Sequence, residues 1–567
     1  MPDLVLDKML DRLEQSKTRF GRAEDQRVAK LLAAFSKRQI SDVETLLRLH
    51  ESLLFLRAFP HGPRVVVQSE RLLNSFRARI DQLRDRGADL DEIDTFEFSG
   101  IAGTVMQDTL SFDVVRWLIR RLPRNVEIDW DDYEEERPIG ATWPRFMPLL
   151  EEDADVEANI PWRRWLQAAR GRKRELEWLI ERFESLSLSA REKAELYDSL
   201  RLPVRWRLEN AKLSRTRSWV RPRSFYYHAE PLIGRKQVSL EIEFAKPAPR
   251  LDKLSLREGN SIIERIREVM LVRYRELYGT TLGDPRSVVK AEVGRGVVFY
   301  FWNLPPERRL PLRAYTAGFT LKNGVPINYI EAIGLCEWIE VGFNTFYTFR
   351  NGETAWIYSQ ALRCLRRLMG AKCISVYPYQ IGQGNDEALE SGAFWFYRKL
   401  GFRPGRPEIL KLTEREEKRI AADPKYKTPM RTLKRLADGH VLYEMPDAEK
   451  KAWDRFSTRT LGLRVNRRMA QEFGGDNQRV RKASTAAVNR ALGVNVEGWS
   501  ALERRACEDW ALVLALTPDL AHWSSREKRD MIEILRSKAG ANEMHYVRLT
   551  QKHEMVRTAI LKLGSRV

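Results

Sequence analysis

The chain has 567 residues, the length of roughly three or four domains. Lys and Arg number 98 against 79 Asp and Glu, a formal charge of +19. Such an excess suits anionic partners such as nucleic acid, phosphorylated cofactors or acidic membrane surfaces, or else the solvated faces of basic helices. No apolar run approaches the ~20 residues of a membrane span, and Met1-Pro2-Asp3-Leu4 opens no signal-like apolar segment. Cys336, Cys364, Cys373 and Cys507 form no CxxC pair and no metal-ligand spacing with the seven histidines. The expectation is a cytoplasmic protein with reduced thiols, no metal and no membrane association.

Residues 1–205 read as a mostly helical domain. Ser41-Asp42-Val43-Glu44 has capping-box spacing and opens an apolar helix that stops near Pro60. Further helical patterns run through Leu72 to Leu83, Val114 to Ile119, Trp162 to Phe183 and Ala190 to Leu200. Two acidic runs, Glu127 to Glu136 and Glu151 to Asp155, read as solvated faces or as a dock for a basic surface.

A connector, 206–255, follows. Across 201–227, arginines from Arg201 to Arg223 interleave with Trp206, Trp219, Phe225, Tyr226 and Tyr227. Arginines neutralise phosphates and aromatics stack on bases, so one reading is a nucleic-acid contact. The other is a basic connector whose aromatics pack on a neighbouring domain. Val238, Leu240, Ile242 and Phe244 alternate with polar residues and predict a half-buried strand, ended by Pro247.

Residues 256–412 predict an α+β domain with a central mixed sheet, flanked on both sides by mostly α-helical regions. A helix over 261–278 precedes strands at 297–302, 312–320, 327–333 and 338–346, with Asn323-Gly324 as a hairpin turn. The loop Phe349 to Thr354 leads into a helix that ends at Gly370. Lys372 to Tyr379 reads as a strand, and a last helix closes on Gly401-Phe402. A strand, a loop and then a helix place helix N-terminal amides at a strand end, where an anion can bind. Residues 413–567 read as a basic helical domain, with Ser524 and Glu527 capping one helix.

The segment 341–402 resembles the core of the GNAT superfamily, the Gcn5-related N-acetyltransferases. The likeness is closest at Gly392-Ala393-Phe394-Trp395-Phe396-Tyr397-Arg398-Lys399-Leu400-Gly401-Phe402, which is similar to the family's final helix. It covers about 150 residues and none of the helical flanks. It implies acetyl-CoA or another acyl-CoA as cosubstrate, its pyrophosphate held by the amides of Arg350-Asn351-Gly352-Glu353-Thr354-Ala355. Arg350 and Ala355 match the family pattern, whereas Glu353 stands at its central glycine. A carboxylate there must point away from the phosphates or pair with a cation such as Arg350. The resemblance also implies a splayed strand whose amides, at Val341 and Phe343, meet the pantetheine arm. Gly342 marks a candidate bulge or splay. Glu390 takes the place of a common family asparagine, for which Asn385 is the nearby substitute.

In the same family a tyrosine of the last helix protonates the departing thiolate, and Tyr397 sits there. A phenol with pKa about 10 is protonated at neutral pH and suits that task; its alternative role is packing. A general base belongs on the central strands, with Glu340, Glu337 and Glu331 as candidates. Counting alternation along the chain puts Glu331 and Glu337 on one face and Glu340 on the other. The expected activity is an acyl-CoA-dependent N-acyltransferase acting on an unknown amine, with the large flanks favouring a macromolecular acceptor. The alternative is a GNAT-like scaffold with altered cofactor use that binds protein or nucleic acid.

Overall fold

The computed structural model describes residues 4–90, 93, 95, 97–133, 142, 145–148, 162–209, 211–423 and 425–565. Glu134 to Glu136 and the run Glu151 to Asp155 lie outside the described residues. The protein is α+β, and its chain divides into two compact units. The first comprises Met1–Val220, Tyr227–Glu230 and Glu264–Thr281; the second comprises Arg221–Tyr226, Pro231–Ile263 and Leu282–Val567.

In the first unit, helix α1 (Val43–Ala58) is buried along nearly its whole length: leucines and Phe55 supply most of the packing, and the buried His50 and Arg57 find partners in Thr216 and Glu70. Its cap is Asp42, one residue later than the capping-box reading, and the carboxylate accepts from the Thr45 amide at 2.8 Å. Beside its helices this unit holds a small sheet that was not expected. Strands β1 (Val105–Thr109), β2 (Val126–Ile128) and β3 (Pro203–Arg207) form an antiparallel sheet in the order β1-β3-β2. Three to five residues are too few for periodicity to register, and β2 overlaps the start of the acidic run. Trp206 of β3 is buried between Met106 and Val126, against helix α2 (Phe112–Arg121).

The second unit is built on a nine-stranded sheet in the order β11-β12-β10-β9-β8-β7-β6-β5-β4. In chain order these are β4 (Asp252–Lys253), β5 (Val289–Gly294), β6 (Val297–Asn303), β7 (Ala314–Lys322), β8 (Val325–Leu335), β9 (Trp338–Thr345), β10 (Cys373–Val376), β11 (Arg403–Pro404) and β12 (Val441–Glu444). All neighbours are antiparallel except β9 and β10. The Asn323-Gly324 hairpin forms as read, with φ of 47° and 79°. The predicted strand at 238–244 is instead a short helix, α3 (Leu240–Ala245). The Ser239 hydroxyl caps it at the Ile242 amide, and burial falls on Leu240 and Glu243 while Ile242 stays 64% exposed. Glu243 turns inward because Gln360 Nε2 meets it at 2.8 Å and Lys246 at 2.6 Å. The strand expected through Tyr379 ends at Val376, since Pro378 brings no amide hydrogen and starts a helical turn.

Helix α4 (Thr354–Met369) connects β9 to β10 and ends on Gly370 in the left-handed region, φ 72°. Helices α5 (Asp386–Glu390) and α6 (Ala393–Arg398) follow β10. Helix α7 (Thr458–Phe473) opens the helical run that extends to Gly564.

Candidate functional site

The site is set by how β9 leaves its neighbour. It pairs with β8 without a break from Leu335–Trp338 to Asn328–Thr345. Its parallel pairing with β10 runs only from Trp338–Cys373 to Glu340–Ser375, after which β9 continues to Thr345 and β10 turns away. Gly342 sits just past this point in unbroken register with Glu331, so it marks a splay and no bulge. Gln380 Nε2 comes to 3.8 Å of where a Gly342 side chain would begin.

The three carboxylates are arranged differently from the alternation count. Glu331 pairs with Gly342 and Glu340 with Ile333, so Glu331 and Glu340 share one face of the sheet. Glu337 lies in the two-residue turn between β8 and β9, on neither strand. The count ran straight through this turn, which reverses the chain and exchanges the parity of the two strands. Glu337 is committed to packing: its Oε1 accepts from Trp453 Nε1 at 2.8 Å and Arg557 Nε at 2.7 Å. Glu331 accepts a short hydrogen bond from the Tyr315 hydroxyl. Glu340 lies 3.5 Å from the Arg313 guanidinium. Burial raises its carboxyl above the usual range, against the opposing pull of Arg313 and Arg459. Arg459 of α7 in turn binds the Tyr377 hydroxyl and lies over its ring. Arg313, Tyr315, Tyr377, Gln380 and Arg459 were not singled out from the sequence. They come from separate segments that only the folded sheet brings to Glu331 and Glu340.

Tyr397 lies on the other face. Val341 and Phe343 point that way from β9, and the Phe343 ring meets Tyr358 of α4 at 4.8 Å between centroids. Tyr397 packs edge-on to Tyr358 at 5.7 Å and to Phe402 at 5.6 Å. Burial holds its phenol above the ordinary range, so it is protonated at neutral pH. The structure therefore does not place Tyr397 beside Glu340 on one surface.

The loop before α4 answers where Glu353 points. Arg350 does not pair with it: its guanidinium stacks 3.8 Å over the Tyr347 ring and bridges to Glu387. The loop is closed by Gly352 N donating to Phe349 O at 2.9 Å and by the Thr354 hydroxyl donating to Arg350 O at 3.2 Å. Glu353 occupies the N-cap of α4 without bonding its first-turn amides, and it is fully buried. Its carboxylate instead turns inward and accepts from the Ile233 amide at 3.1 Å, from Arg295 Nε at 3.2 Å and from Lys322 Nζ at 3.4 Å. Arg295 sits in the β5–β6 turn at φ 53°, and Lys322 is the last residue of β7. Both cations lie 5.0 Å from the Tyr226 ring. Burial draws the Lys322 amine down to about 7, opposed by Glu353. Asn351 flanks this loop on its exposed side, and Ala355 is buried in the first turn of α4. Asn385 caps α5, accepting from the Ala388 amide at 3.1 Å and donating to Tyr379 O at 3.1 Å.

Within the first unit, the 201–227 stretch up to Val220 is partly consumed by packing. Trp206 is in the core, Arg205 pairs with Glu127 at 2.7 Å, Arg215 is buried on Glu51, and Trp219 stacks with Arg57. The four cysteines are free and buried. Among the described residues no His, Cys, Asp or Glu group is placed to hold a metal, and no helix is long and apolar enough to cross a membrane.

The site thus belongs to an α+β protein in which a parallel strand pair opens beside a helix N-terminus. Comparison of the chain with protein families, curated proteins and solved structures finds no match.

Proposed function

We propose that the second unit is an acyl-CoA-dependent N-acyltransferase of GNAT type, working in the cytoplasm on an amine acceptor. The observation that carries this reading is the parting of β9 from β10 directly after Glu340, with the loop to α4 following from the same strand. In this reading the free edge of β9 from Val341 to Phe343 offers backbone groups to the pantetheine arm. The first-turn amides of α4 then receive the pyrophosphate. Glu353 does not oppose that anion, because its charge is buried on Arg295 and Lys322.

Glu340 serves as general base. Desolvation makes its carboxylate a stronger base than an exposed glutamate, and Arg313 holds it in place. It takes the proton of the ammonium that approaches from the Glu331 face. The freed amine attacks the thioester carbonyl, and the C–S bond breaks. Tyr397, reached from the opposite face through the splay, supplies the proton for the thiolate.

Calorimetric titration with acetyl-CoA tests the reading. Micromolar binding that weakens when the α4 loop is altered is expected; no heat at millimolar ligand ends it. In an active preparation, Tyr397→Phe should lower kcat more than acyl-CoA affinity, and an unchanged kcat removes Tyr397 as the acid.

A further inference from the structure

The other end of α4 carries a feature that the acyltransferase reading does not use. Around Gly370 lies a pocket of about 310 Å³. Its lining brings together Lys246, Arg363, Arg366, Arg367, Lys372 and Arg548 over an apolar floor that includes Phe244. Two carboxylates answer these six cations. Asp447 lies 3.3 Å from Lys372 and 3.9 Å from Arg366. Glu243 takes Lys246 at 2.6 Å and Arg363 at 3.9 Å.

The helix end accounts for only part of the cluster. Arg548 donates to Arg367 O at 2.9 Å and Leu368 O at 3.4 Å, capping carbonyls at the negative end of the dipole. Gly370 makes room for it, since a Cβ there would fall 1.6 Å from the guanidinium. Arg363 and Arg366 reach the backbone oxygens of Pro247 and Phe244. Arg367 and Lys372 stand at the exposed rim. Concentrating cations in a concavity is unfavourable unless an anion joins them, and guanidinium forks match phosphate oxygens in pairs.

We infer that this pocket binds a small ligand carrying two or more phosphate groups, either a nucleotide or an inorganic polyphosphate. The volume is at the small end of ligand sites and its cations form one compact ring, whereas a single-stranded nucleic acid needs an extended basic track with stacking aromatics. The α4 loop is a different place: a helix of 16 residues sets its two ends roughly 24 Å apart.

The test is calorimetric titration of the full chain at low salt with ATP, tripolyphosphate and adenosine. ATP or tripolyphosphate should bind and adenosine should not. ATP tighter than tripolyphosphate identifies a nucleotide site; equal affinities identify a polyphosphate site. The double variant Arg367→Gln/Lys372→Gln should weaken binding about ten-fold or more at an unchanged melting temperature. Asp447→Asn, which removes the competing carboxylate, should tighten it, and this arm decides the matter if the double variant melts early. Absence of binding at millimolar phosphate ligand overturns the proposal, as does equal affinity in all variants. So does displacement of ATP by acetyl-CoA whose own affinity is unchanged in Arg367→Gln/Lys372→Gln, which would put the shared phosphate site away from this pocket. A single-stranded oligonucleotide that binds more tightly than ATP and is weakened by the same double variant also overturns it. Failure of acetyl-CoA to bind at all leaves this inference standing and ends only the acyltransferase reading.

Discussion

The two ends of α4 handle charge in opposite ways. At the N-terminal end a single carboxylate, Glu353, is fully buried and shared by Arg295, Lys322 and a backbone amide. At the C-terminal end six cations ring an open pocket, two of them at its exposed rim. Each sign suits its end of the helix dipole. Burial is what separates them. A buried, multiply bonded charge fixes structure, while a solvated cluster remains available to a ligand. Helix N-termini are the usual anion sites, yet here the N-terminal loop carries its own anion inside, on Arg295, Lys322 and the Ile233 amide.

The strongest way to break this comparison is Glu353→Ala. It removes the carboxylate that Lys322 and Arg295 share, and loss of one partner of a buried pair costs about 3–5 kcal/mol. Urea unfolding should show it, and Lys322→Met in the same chain should recover part of the loss. A cost under about 1 kcal/mol would mean that Glu353 is not holding the two cations. The same cluster carries a pH signature. Lys322 titrates near 7 in the folded chain, below its unfolded value of about 10.4. The unfolded chain therefore binds more protons between those values, and stability should rise with pH across that window. Lys322→Met should flatten the rise; a slope that survives assigns it to another group.

Next in size is Glu340→Gln, expected to lower kcat/KM about 10²–10³-fold with acyl-CoA affinity unchanged, as for a lost general base. Arg313→Gln should move the acidic limb of the pH–rate profile upward, because it removes a cation that holds the carboxyl down. For stability the sign is opposite to that of Lys322. A raised carboxyl binds its proton more tightly in the folded chain. Its contribution is complete below about pH 4.3 and is lost as pH climbs through the folded value. Retention of full activity in Glu340→Gln would shift the base to Glu331, whose bond from Tyr315 is the next candidate.

What the sequence made legible follows the range of the interactions. The α+β class, strands β6 to β9 and the Asn323-Gly324 turn were readable, because β-branched runs and turn residues act within a few positions. The direction of Glu353 was not: its partners lie 31, 58 and 120 residues away. Lys322 beside a hairpin turn reads as a surface charge until the fold buries it. The shared face of Glu331 and Glu340 was hidden by a turn of two residues, over which a count of alternation loses its meaning. Alternation also misled at 238–244, where an inward carboxylate with its own partners favoured a helix.

The C-terminal end of α4 should respond more mildly. Gly370→Ala forces a side chain into a left-handed position and against Arg548, at a cost of about 1–2 kcal/mol. Displacing that guanidinium should also change ATP affinity if the pocket is the ligand site described above. A stability cost with no change in ATP binding would separate the helix cap from the pocket.

The smallest effect is expected at Arg350, and it is the most informative about the loop. Its bridge to Glu387 is exposed, with 40% and 45% of the two side chains accessible, and such pairs contribute under about 1 kcal/mol. Arg350→Gln should leave the unfolding midpoint nearly unchanged. If the α4 loop holds a pyrophosphate, the same substitution should weaken acetyl-CoA and make the remaining binding less sensitive to salt, since one cation has left the site. Weakened stability with unaltered acetyl-CoA affinity would reverse the assignment. Arg350 would then belong with Glu353 to the structural charge at this end of the helix, and the loop would lack the cation an incoming phosphate needs.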